Sequence, residues 1–280
     1  MSPHQAPYMK KYIVSVLILT VFHFVAAAAV TDTVETYSAV MKKNIKAVVI
    51  RPDGYSSRAQ ALPVVYLLHG YSGNYADWIT KAPEITKIAD RYNLIIVCPD
   101  GGFGSWYWDS PADPSFQYET YVSKELVQWI DQRYKTIPSN KGRAITGLSM
   151  GGHGALYLAI RHQDVFGAAG SMSGGVDIRP FPHNWDMAKR LGTYAAAPER
   201  WEKNTVINML HLIQPNSLAL VIDCGTGDFF YAVNEKLHEQ MVYRNIAHDY
   251  ITRPGVHNWE YWQNAVEYQL LFMHRFFNRQ

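Results

Sequence analysis

From residue 62 onward, short unbroken apolar runs alternate with longer segments in which apolar positions recur every three or four residues. The runs are Val64-Val65-Tyr66-Leu67-Leu68, Leu94-Ile95-Ile96-Val97-Cys98, Arg143-Ala144-Ile145-Thr146, residues 168–171, Leu218-Ala219-Leu220-Val221-Ile222 and Tyr250-Ile251-Thr252. Apolarity without polar alternation describes strands buried on both faces, which belong to a parallel sheet covered by helices on either side. The segments between them predict helices over 75–92, 116–134, 150–162, 200–213, 231–244 and 259–277. In the second, Val122, Leu126, Trp129 and Ile130 make an apolar stripe, and Lys124, Gln128 and Asp131 fall on the opposite face. Ahead of these, 34–41 and 44–51 read as two strands parted by Lys42-Lys43, an antiparallel hairpin at the sheet edge. The expected fold class is α/β: one doubly wound, mostly parallel sheet, with ligands received outside the carboxyl ends of the strands.

The first 29 residues have a different pattern. Lys10 and Lys11 precede an apolar stretch interrupted only by Ser15, Thr20 and His23, and Ala26-Ala27-Ala28-Ala29 closes it. A charged start, an apolar middle and a small-residue end make a secretory signal. We therefore expect residues 1–29 to be a signal peptide and 30–280 to be one domain, exported to a periplasm or the exterior. Met9 is a second candidate start, which would make 1–8 an extension. Retained, the segment is just long enough to anchor the chain in a membrane; removed, it leaves no stable membrane association to expect. Cleavage takes away two lysines and no acidic residue, and the full chain's formal charge of +2 becomes neutral. With no run of five like charges either, the composition points away from nucleic acid and toward small neutral or mixed substrates.

Candidate chemistry sits at the strand ends. Ile145-Thr146-Gly147-Leu148-Ser149-Met150-Gly151 runs from a strand through G-x-S-x-G into a helix. A turn that sharp needs small residues at Gly147 and Gly151, and it lifts the Ser149 hydroxyl to the sheet's top edge. It also points the free N–H groups of the helix start, including that of Met150, at whatever Ser149 attacks. On its own the stretch equally describes a glycine-rich turn with an N-cap serine. Serine becomes a nucleophile only beside a neutral histidine held in one tautomer by an acid. His257 lies between the last strand and the last helix, whereas His153, His162, His211, His238 and His274 fall inside predicted helices; His183 and His248 are weaker candidates. For the acid, Asp228 follows the fifth apolar run by a short turn, with Asp223 and Asp177 as competitors. A second donor to an oxyanion would come from Leu68-His69-Gly70-Tyr71, where Gly70 lets the Tyr71 N–H turn toward the same point; His69-Gly70 also reads as a plain strand-ending turn.

These stretches, with Ser171-Met172-Ser173-Gly174, Asp223-Cys224-Gly225-Thr226-Gly227-Asp228-Phe229 and Gly255-Val256-His257-Asn258-Trp259, resemble the esterase D branch of the α/β-hydrolases. That branch includes tributyrin, feruloyl and acetyl-xylan esterases and S-formylglutathione hydrolases, and the acid-bearing loop is most similar to the tributyrin-esterase group. The resemblance covers the chain from about residue 34 to its end. It implies an α/β-hydrolase fold, Ser149 as nucleophile with Asp228 and His257 as partners in that chain order, and the backbone N–H groups of Tyr71 and Met150 as oxyanion donors.

Trp106 and Trp108 follow a strand, Trp185 lies in the loop after Ser173-Gly174 and Trp259 follows His257, and they either line a substrate mouth or cover the rim of the core. Cys98 and Cys224 end strands that are not neighbours in this topology, so free buried thiols are expected. No metal-ligand spacing and no phosphate-binding glycine motif occurs, and no cofactor is expected. The sequence reads as an exported serine carboxylesterase for short-chain, carbohydrate or phenolic esters. Its partner would be a small-molecule or oligosaccharide ester. Two rivals remain at this stage: an acyltransferase that uses a sugar hydroxyl in place of water, and a non-catalytic glycan-binding module.

Overall fold

The computed structural model describes residue 1, residues 29–56 and residues 60–279. Apart from Met1 and Ala29, the expected signal peptide lies outside the described residues. The described chain builds one eight-stranded sheet in the order β1-β2-β4-β3-β5-β6-β7-β8. Its strands are β1 (Val30–Ser38), β2 (Lys43–Arg51), β3 (Val64–Leu68), β4 (Ile95–Pro99), β5 (Arg143–Gly147), β6 (Ala168–Met172), β7 (Ala219–Gly225) and β8 (Asp249–Arg253). β3 through β8 run parallel, β1 pairs antiparallel with β2, and β2 pairs antiparallel with β4.

The two faces of the sheet follow from strand alternation. Val64, Tyr66 and Leu68 of β3 enter one apolar layer, and Val65 and Leu67 enter the other. The second layer is closed by α1 (Asp77–Lys81), α2 (Ile85–Tyr92) and α9 (Trp259–Phe277). The first is closed by α3 (Tyr118–Thr120), a π-helical turn over Tyr121–Leu126, α4 (Val127–Arg133), α5 (Met150–Arg161), α6 (Met187–Leu191), α7 (Pro198–Lys203) and α8 (Tyr231–Tyr243). α5 is buried from Met150 to Ile160, which is why its sequence shows no polar face.

Three expected elements come out differently. The helix read over 75–92 is two helices, because Pro83 has no N–H to donate and holds Ala82 out of the helical region, at φ −135° and ψ 59°. The helix read over 200–213 divides at Asn204 and Thr205 into α7 and a 3₁₀ segment, Val206–Leu212. The edge hairpin turns over residues 39–42, with Lys42 at φ +54°, so β1 starts and ends earlier than its apolar pattern suggested.

Because β3 lies between β4 and β5, the chain reverses its direction of travel across the sheet there. A crevice forms outside the carboxyl ends of strands at such a point. His69–Gly73 leave β3 into it and Leu148–Met150 leave β5.

Candidate active site

Ser149 stands between β5 and α5 with φ +55° and ψ −116°, a strained conformation for a residue carrying a Cβ. Its N–H donates to the Met172 carbonyl at 2.8 Å, which ties the turn to β6. The turn is tight enough to exclude larger residues: a Cβ on Gly147 would lie 2.7 Å from the Gly151 carbonyl carbon, and one on Gly151 only 2.6 Å from the His69 carbonyl oxygen.

His257 reaches Ser149 from the loop between β8 and α9. Its Nε2 is 2.9 Å from Ser149 Oγ, and its Nδ1 is 2.8 Å and 3.0 Å from the two carboxylate oxygens of Asp228. A carboxylate only accepts, so Nδ1 carries the proton and Nε2 offers a lone pair to the serine hydroxyl. Asp228 is fixed in turn by the Phe230 N–H, which donates to Oδ1 at 2.8 Å. The two loops are joined by backbone bonds from Thr226 N–H to Arg253 and from Gly227 N–H to Gly255.

The competing acids are engaged elsewhere. Asp223 accepts from Tyr261 Oη at 2.5 Å and pairs with Arg253 at 3.0 Å, while Asp177 is held by Arg179. Burial pushes the Asp223 carboxyl above the usual carboxylate range despite those two partners. The helical His153 lies fully buried beneath the site. Its Nε2 accepts from Trp108 Nε1, and burial pushes its imidazole down to about 4.

Met150 N–H opens α5, where no preceding turn supplies an acceptor. Neither it nor the Tyr71 N–H has a hydrogen-bond acceptor among the described residues. A chain of serine, histidine and carboxylate, with two unused backbone donors close by, can take up a carbonyl carbon and stabilise the oxyanion that results.

The tryptophans divide. Trp185 and Trp259 line the cleft over Ser149, but Trp106 and Trp108 do not reach it. They are 1% and 0% exposed and pack on His153, with Trp106 Nε1 donating to the Trp185 carbonyl. Their part of the mouth reading is therefore corrected: the loop tucks under the sheet top because Trp106 and Tyr107 both take positive φ, at 56° and 60°.

A family model described as Esterase matches residues 38–273. The chain belongs to the esterase family. An acetyl esterase of Caldicellulosiruptor saccharolyticus is 25% identical over 249 residues, covering 82% of this chain and 92% of that protein. Among solved structures, a ferulic acid esterase superposes with a TM-score of 0.78 at 27% identity, over 90% of this chain and all of the other. An S-formylglutathione hydrolase from Agrobacterium tumefaciens gives 0.76 at 21%, over 90% and 97%, a likeness of fold. The esterase has the α/β-hydrolase fold and is a carboxylic ester hydrolase.

The cleft of this esterase has a volume of about 360 Å³ and contains residues that the sequence did not single out. Phe229 is 53% exposed and covers His257, ring to ring at 4.1 Å. Trp262 meets the same imidazole edge-on at 4.8 Å and donates to Ser173 Oγ. Lys81 pairs with Asp77 at 3.2 Å and stands over the Trp259 ring at 5.0 Å. Of these, Trp262 carried a legible signal, since it follows Trp259 by three residues and shares its helix face. Cys98 and Cys224 are free and buried.

Proposed function

We propose that this esterase cleaves its substrate through an acyl-enzyme on Ser149. His257 Nε2 takes the hydroxyl proton as Ser149 Oγ attacks the ester carbonyl, and Asp228 holds the imidazole and stabilises its charged form. The N–H groups of Tyr71 and Met150 receive the oxyanion. As the tetrahedral adduct collapses, the imidazolium returns its proton to the departing alcohol. Water then repeats the cycle, and the carboxylic acid leaves.

The observation that carries this reading is the unbroken hydrogen-bond chain from Ser149 Oγ through His257 to Asp228, at 2.9 Å and 2.8 Å. For substrate we propose short-chain, carbohydrate or phenolic esters. Trp185, Trp259 and the exposed Phe229 offer flat apolar faces suited to sugar rings or aromatic acyl groups. Relatives described as acetyl and ferulic acid esterases agree with that range. The pattern over residues 1–29 supports export, and no helix of the described residues is long and apolar enough to cross a membrane. The test is turnover of p-nitrophenyl acetate and butyrate by the protein and its Ser149→Ala variant. The reading requires that the variant lose turnover; equal rates would sink it.

A further inference from the structure

His69 follows β3 and immediately precedes the Gly70–Tyr71 peptide, and it is 1% exposed. Both ring nitrogens are occupied. Nε2 accepts from the Gly101 N–H at 2.7 Å, and Nδ1 is 2.7 Å from the Gly70 carbonyl oxygen. Since a backbone N–H only donates and a carbonyl only accepts, the ring is neutral with its proton on Nδ1. The same Gly70 oxygen accepts a second bond from the Gly73 N–H at 3.1 Å. The backbone beside the ring is tied as well: Tyr107 Oη donates to the His69 carbonyl at 3.1 Å.

A trans peptide holds its carbonyl and its N–H in one rigid plane, pointing in opposite directions. Drawing the Gly70 oxygen toward His69 therefore turns the Tyr71 N–H away from that ring, at the opposite edge of the same plane. This peptide stands beside the nucleophile, because a Cβ on Gly70 would lie 2.6 Å from Leu148 Cδ1 and 3.4 Å from Ser149 Cβ.

We infer that His69 is a positioning residue of the oxyanion hole: its Nδ1–H grips the Gly70 carbonyl and so aims the Tyr71 N–H at the substrate's carbonyl oxygen. This rests on the reading of the Tyr71 N–H as an oxyanion donor. The other bond, from the Gly101 N–H to Nε2, ties the end of β3 to the loop after β4 and serves the fold. The two nitrogens thus have separable duties. An N–H aimed at a charge that develops only in the transition state raises kcat and leaves ground-state binding nearly untouched.

Two variants separate those duties. His69→Gln places a carboxamide oxygen within reach of the Gly101 N–H and has no donor at the Nδ1 position. His69→Asn places an N–H where Nδ1 stands and leaves Gly101 unpaired. Removing one oxyanion donor outright costs about 10²–10³ in kcat, and a misaimed donor keeps part of that. The expected result is that His69→Gln loses about 10- to 100-fold in kcat at unchanged KM, while His69→Asn recovers most of the rate and has the lower melting temperature. Should His69→Gln fail to fold, Gly73→Ala replaces it. Its Cβ would come first on Asp77 Oδ2, at 2.4 Å, the end of a side chain that can swing aside, and then within 3.0 Å of Nδ1 and 3.1 Å of the Gly70 oxygen, so the same loss of kcat is required. Full kcat in His69→Gln or Gly73→Ala, or equal losses in the Gln and Asn variants, overturns the inference. Ser149→Ala, assayed alongside, distinguishes the failures. If it is inactive while His69→Gln is fully active, only the role of His69 falls; if it is active, the reading of the whole site falls.

Discussion

Replacing Gly151 by alanine tests how closely the nucleophile turn is fitted to the sheet. The added Cβ would sit 2.6 Å from the His69 carbonyl oxygen, 2.7 Å from that of Leu68 and 2.8 Å from the Leu68 carbonyl carbon. All three atoms are backbone at the end of a central strand, so no side chain can swing aside. Carbon contacts settle near 3.5 Å, which requires the start of α5 to withdraw by roughly 0.5–1 Å. Overpacking of this kind costs about 1–3 kcal/mol, and alanine returns at most about 1 kcal/mol through helix propensity. The net loss, up to about 3 kcal/mol, lowers the melting temperature by up to about 12 °C in a domain of this size. The larger effect falls on rate, because the withdrawing segment carries both Ser149 and the Met150 N–H. A misplacement near 1 Å costs about 10²-fold, so kcat/KM should fall by about 10- to 100-fold. Thermal unfolding followed by circular dichroism, beside p-nitrophenyl butyrate kinetics, measures both. An unchanged rate together with a raised melting temperature would mean that strand and helix have slack, and would refute the claim that their close approach sets the geometry.

Asp228→Asn should lower kcat by about 10³–10⁴-fold, because the Phe230 N–H keeps the amide oxygen and turns the NH₂ toward His257 Nδ1, forcing the wrong tautomer; steady-state kinetics with near-normal turnover would contradict that. Phe229→Ala removes a half-exposed ring, so stability should change by less than about 1 kcal/mol while KM rises several-fold for aromatic acyl esters. An unchanged KM across acetyl, butyryl and cinnamoyl esters would remove Phe229 from the substrate mouth. His153 is held neutral in the fold by burial, with its imidazole pushed from 6.5 down to about 4. The unfolded chain therefore binds a proton there first, and this contribution to stability is complete above pH 6.5 and is lost as pH falls toward about 4. Urea midpoints measured across that interval should fall less steeply in His153→Gln, and parallel slopes would count against a buried neutral histidine.

Fold and site were legible to different depths. Continuous apolar runs located the parallel strands, with Val64–Leu68 matching its run to the residue, because burial on both faces leaves no polar position to blur the ends. α9 was equally plain, since Asn258 caps it by accepting from the Tyr261 N–H and no breaker interrupts its nineteen residues. α6 escaped notice because its five residues complete little more than one turn, too few to show a period. Ser149, Asp228 and His257 were readable since each follows a strand by a short turn, and the topology does the rest. Trp106 and Trp108 misled because an aromatic loop looks the same in sequence whether it faces the cleft or folds beneath it. The difference lies in two consecutive left-handed backbone conformations that no side-chain pattern announces. Phe229 went unread for the opposite reason: next to the acid, its exposure is decided by the path of a loop packed against residues 253–257.

The central claim is a covalent intermediate on Ser149, and it is tested most directly by mixing the protein rapidly with excess p-nitrophenyl acetate and following both product release and protein mass. The account predicts a burst of p-nitrophenol of one equivalent, a transient gain of one acetyl group, its location on the peptide carrying Ser149, and none of these in Ser149→Ala. An acetyl group found on another residue, or wild-type turnover in the variant, would contradict it.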